Sequence, residues 1–119
     1  METTLNRRRS QRLFLQVRVV VEGKLANKSP FSEQTHTIVI NAHGALVEMG
    51  ISLDQGLVVS LLNMRTSEKT ECAVKLVTRA DAKKFNTALE FTNPNPGFWR
   101  ISFPPDDWNL KHPDAKTNS

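Results

Sequence analysis

The chain has a single cysteine, Cys72, among its 119 residues. Cys72 has no partner for an internal disulfide, which agrees with a reducing compartment. No apolar run approaches the roughly 18 residues of a membrane helix, and no membrane segment is expected. Residues 1–6 carry no apolar signal-peptide core, and the stretch after the arginines alternates instead of clustering. The expected compartment is therefore the cytoplasm. A GxxxxGK phosphate loop is missing, and no nucleophile, base and orienting acid stand at local catalytic spacing, so an enzyme is not expected. His36, His43 and His112 have no acidic or thiol partners at ligand spacing, so neither a metal nor another cofactor is expected.

What is present is an uneven charge. Lys and Arg number 16 against 12 Asp and Glu, a net charge of +4. Setting aside Arg7, Arg8, Arg9 and Arg12 leaves the rest of the chain balanced. A protein that tracks a nucleic-acid backbone spreads basic residues over a face. An excess confined to one short cluster suits a compact anion better, and nucleic acid is an unlikely partner.

Directly after that cluster, Leu13, Leu15, Val17, Val19 and Val21 occupy alternate positions, the period of a strand with one buried face. Gly23 to Pro30 reads as a hairpin loop, and Glu33 to Ile40 as a second strand rich in β-branched residues. Strand character resumes from Ala45 to Met49 after Asn41-Ala42-His43-Gly44. Asp54 to Gly56 forms a turn before a strand from Leu57 to Leu62. Thr70 to Arg79 alternates with Cys72, Val74 and Leu76 on one face, and Phe85 to Phe91 follows the polar Ala80 to Lys84. About six short strands with hairpin spacing and no amphipathic helix between them predict an all-β fold, an antiparallel barrel or sandwich. Closing the barrel removes exposed edges. Pro96 can open one short C-terminal helical turn, which Pro104-Pro105 must end. Residues 1–6 read as a flexible N-terminus, 7–108 as one domain and 109–119 as a flexible tail.

Arg8-Arg9-Ser10-Gln11-Arg12 resembles the RxxxR motif that precedes the first strand of PilZ domains. The stretch "VINAHGALVEM" is similar to that family's second motif, in the same order and place, and "FWRISFPPDDW" resembles the ending of some members. The resemblance covers Arg7 to Trp108 and implies a six-stranded antiparallel PilZ-like β-barrel that binds the bacterial second messenger cyclic di-GMP. A guanidinium can bond a phosphate with its planar fork and can also stack on a guanine or chelate its O6/N7 edge. By resemblance Arg8 and Arg12 are the ligand-binding pair, with Arg7 and Arg9 adding positive field or substituting if the register slips. Asn41 matches the family's acidic-or-amide position, and Gly44 matches its turn glycine.

The second motif departs from the family pattern of Asp or Asn, any residue, Ser, two residues and Gly. Here it is two residues shorter, and His43 stands where serine is expected. His43 can donate a bond or stack. Losing two neutral hydrogen bonds at about 1 kcal/mol each costs roughly 30-fold in affinity. Two readings follow: a cyclic di-GMP receptor that changes its surface for a protein effector, or a degenerate PilZ-like adaptor that binds only protein. As a plain structural element, "NAHG" is a tight connection in which Asn41 and Gly44 supply unusual backbone angles. Cys72 is expected in the core. Phe98, Trp99, Phe103 and Trp108 are expected to close one end of the barrel, while Asp106 and Asp107 read as solvated turn residues.

Overall fold

A computed structural model of the chain describes residues 12–101. The expectations for Arg7, Arg8, Arg9, Phe103, Pro104-Pro105, Asp106, Asp107, Trp108, His112 and the two tails lie outside the described residues.

Among the described residues there are seven strands, all paired antiparallel: β1 (Leu13–Phe14), β2 (Arg18–Lys24), β3 (Pro30–Asn41), β4 (Gly44–Met49), β5 (Val58–Asn63), β6 (Glu68–Asp81) and β7 (Lys84–Phe91). Their spatial order is β1-β3-β2-β5-β6-β7-β4, and β4 pairs back onto β3. Strands β2 to β7 therefore form a closed six-stranded antiparallel barrel, with β1 as an added short strand. The all-β barrel expected from strand spacing is what the chain adopts.

The predicted first strand is split in two. Val17, Val19 and Val21 are buried as their alternation requires, but Leu15 is exposed. The cause is Thr37, fully buried on β3. Its hydroxyl donates to the Leu15 carbonyl at 2.6 Å and accepts from the Val17 N–H at 2.9 Å, while its own N–H bonds the Val17 carbonyl at 3.0 Å. The chain breaks step there, so β1 pairs with the end of β3 and β2 with its beginning.

Alternating inward side chains fill the barrel: Val19, Val21, Ile40, Val47, Leu61, Cys72 and Val74 are all nearly inaccessible. Leu76 departs from the expected face. A register shift between Val74 and Leu76 inserts Lys75 as a bulge on β6, so Leu76 points outward and is 57% exposed. A bulge reverses the alternation beyond it, and Val77 turns toward the core instead.

At the end of the barrel where β5 and β7 finish, Phe98 and Trp99 are buried. Their rings meet edge to face at 4.9 Å, and Phe98 meets Phe91 at 5.4 Å. The Asn63 amide donates to the Phe98 carbonyl at 3.2 Å. These two aromatics close that end as expected. Residues 96–99 reach it through hydrogen-bonded turns, with Phe98 N–H donating to Asn95 and Arg100 N–H to Gly97. The remainder of the expected helical turn, toward Pro104-Pro105, lies outside the described residues, and no helix occurs among the described ones.

Candidate functional site

Asn41 and Gly44 are paired residues of the β3–β4 hairpin, joined by only Ala42 and His43. The Asn41 side-chain oxygen accepts the His43 N–H at 2.7 Å, the local bond by which Asn favours turns. The His43 carbonyl accepts the Phe91 N–H at 2.8 Å, tying the hairpin to the end of β7. The expected unusual backbone angles are not found: neither Asn41 nor Gly44 has positive φ. Gly44 is required for another reason. It lies against β7, and a Cβ there would collide with the Leu89 carbonyl.

Beside this hairpin, on the outer wall, lies a groove of about 360 Å³ that Arg12, Asn41, His43 and Gly44 all line. Four of the residues named from sequence thus meet in one place, although Arg12 lies far from the other three along the chain. Arg7, Arg8 and Arg9 lie outside the described residues. The backbone explains the meeting: β1 pairs with the end of β3, so Arg12 emerges next to the hairpin at which β3 turns into β4.

The floor of the groove was not legible as a site in the sequence. Cross-strand registers align Phe14 with Val39, Val39 with Leu46, Leu46 with Ala88, and Ala88 with Leu76. This is an apolar row on the outside of the barrel, running across five strands. Phe14, at its far end, is 84% exposed. Inward residues flank the row in sequence, since Ile40, Val47 and Leu89 are buried, so these strands are apolar on both faces. Such a contiguous exposed apolar strip marks an interaction site more often than isolated exposed residues do. On its hairpin side the row is bordered by charge: Arg12, and the Lys75 ammonium held 3.2 Å from Glu90. Lys75, Glu90 and Leu76 escaped sequence reasoning because simple alternation puts Leu76 inside and gives Lys75 no special place.

Other chemistry-bearing groups are accounted for elsewhere. Cys72 is fully buried, and desolvation, with a smaller contribution from the nearby Glu71 charge, pushes its thiol pKa up to about 12. A thiol held neutral in this way is no nucleophile. His36 faces Glu48 at 3.7 Å, and Lys84 pairs with the same carboxylate at 3.2 Å, away from the groove. No group of three or more His, Cys, Asp or Glu side chains among the described residues is placed to hold a metal ion. In comparisons with known proteins, no family model matches the chain and no curated protein matches it.

Proposed function

We propose that this protein is a PilZ-like receptor for cyclic di-GMP, a cytoplasmic binding module and not an enzyme, that presents an altered surface to a protein effector when the ligand is bound. The observation that carries this reading is the meeting of Arg12 with Asn41, His43 and Gly44 around one groove with an apolar floor. A cyclic dinucleotide offers two phosphates and two flat guanines. Arg12 supplies a planar donor fork for phosphate or for a guanine edge. The apolar row supplies a surface on which a base can lie while leaving water. Asn41 and His43 lie at the rim, where a base edge can be hydrogen-bonded. Arg8, four positions before Arg12, completes the arginine pair in this reading. Ordering chain around the ligand costs conformational entropy that the charged contacts must exceed.

Titration calorimetry of the full chain with cyclic di-GMP tests this directly. Micromolar binding is expected, with loss of at least tenfold in both Arg8→Ala and Arg12→Ala. Unchanged affinity in both variants would overturn the assignment.

One observation favours a second reading, the adaptor that binds only protein. The hairpin contributes just two loop residues, and its Asn41 oxygen is already committed to His43 N–H. On that reading the apolar row docks a protein, and the titration gives no heat although the protein is folded.

A further inference from the structure

We propose that Lys75, next to Leu76 on the bulged stretch of β6, is a ligand-contacting residue of the groove that supplies a second phosphate contact opposite Arg12, with Glu90 as its built-in competitor. This rests on the reading of the groove as a cyclic dinucleotide site. In an unbroken strand, Lys75 and Leu76 would point to opposite faces of the sheet. The register shift between Val74 and Leu76 puts both on the outer face, and both line the groove. Bulges of this kind re-aim side chains next to binding sites. Here the bulge turns Leu76 outward beside Lys75, which already faces out after the buried Val74, so a cation and an apolar contact stand at consecutive positions at the end of the row opposite Arg12.

The separation of the two cations matters for the class of ligand. Row partners run through β1, β3, β4, β7 and β6, and four inter-strand spacings of about 4.8 Å give roughly 19 Å along the curved wall. Long Arg and Lys side chains reaching inward from the two ends leave a gap suited to a ligand with two separated phosphates. A mononucleotide reaches only one of them. In the free protein the Lys75 ammonium is occupied by Glu90 at 3.2 Å, and both side chains are more than half exposed. A phosphate arriving at Lys75 therefore displaces a carboxylate.

Displacement predicts opposite effects from the two ends of one ion pair. Titration of the full chain with cyclic di-GMP is expected to show about tenfold weaker binding for Lys75→Gln. Glu90→Gln is expected to bind about threefold tighter, the scale of an exposed ion pair. In the Lys75→Gln/Glu90→Gln double variant the gain from Glu90→Gln is expected to vanish, because Glu90 acts through Lys75. GMP is expected to bind weakly and to lose little on Lys75→Gln. Equal melting temperatures across the set would place these effects in binding and not in folding. Wild-type binding that Lys75→Gln leaves unchanged overturns this inference while the receptor reading stands. A Glu90→Gln gain that persists in the Lys75→Gln background reduces Glu90 to a general field effect and overturns the competition. No wild-type binding at all overturns the receptor reading and this inference with it.

Discussion

Thr37 and Thr87 are both fully buried in the barrel, and they show how differently one residue type can act. Thr37 satisfies its hydroxyl twice over. Thr87, opposite Val47 and Val77, has a buried hydroxyl with no hydrogen-bond partner among the described residues. A buried hydroxyl without a partner costs free energy that water would otherwise supply. Thr87→Val keeps the shape and removes the stranded group, so it is expected to raise stability by about 1 kcal/mol in urea denaturation. A comparable loss of stability would mean that the hydroxyl is bonded after all. Neither role is visible in the sequence, where both threonines sit among β-branched neighbours at alternating positions. Burial is predictable from the period; the partner of a buried hydroxyl depends on residues about twenty positions away.

Elements were legible to the extent that alternation persisted. The strands predicted from Glu33, Ala45, Leu57, Thr70 and Phe85 onward all exist, with no end moved by more than three residues. Alternation misled at two points, Leu15 and Leu76, because a break and a bulge are invisible to a period-two pattern. The break between β1 and β2 depends on Thr37. Thr37→Val is expected to cost about 1–3 kcal/mol, since it strands the Leu15 carbonyl and the Val17 N–H together. Thr37→Ser keeps both bonds and should recover most of that loss. Amide hydrogen exchange at Val17 reads the effect locally, and protection there that is unchanged in Thr37→Val would show that the crossing is held by something else. The same break sets Arg12 beside Asn41, so this structural threonine positions one wall of the candidate site.

For the whole molecule, closure of the barrel creates an end that must be covered. Phe98 and Trp99 cover it from a segment with no strand of its own. Trp99→Ala is expected to cost about 3–5 kcal/mol, the range for deleting a buried aromatic ring, measured as a fall in the urea midpoint. A loss below about 1 kcal/mol would mean that this end of the barrel is held without the indole. Composition and turn spacing were enough to determine an all-β chain with a modest core, a lone core cysteine and an aromatic plug near the C-terminal end, because burial periodicity and turn chemistry are local properties. The motif resemblance also pointed to Arg12 and the Asn41–Gly44 turn. Only the tertiary structure decided that these residues share a groove, that its floor is the row from Val39 to Leu76, and that Lys75 lies at the end of it opposite Arg12. The physical reason is register: which residues stand side by side across five strands is fixed by long-range pairing, and a single bulged residue changes the answer without leaving a mark on composition.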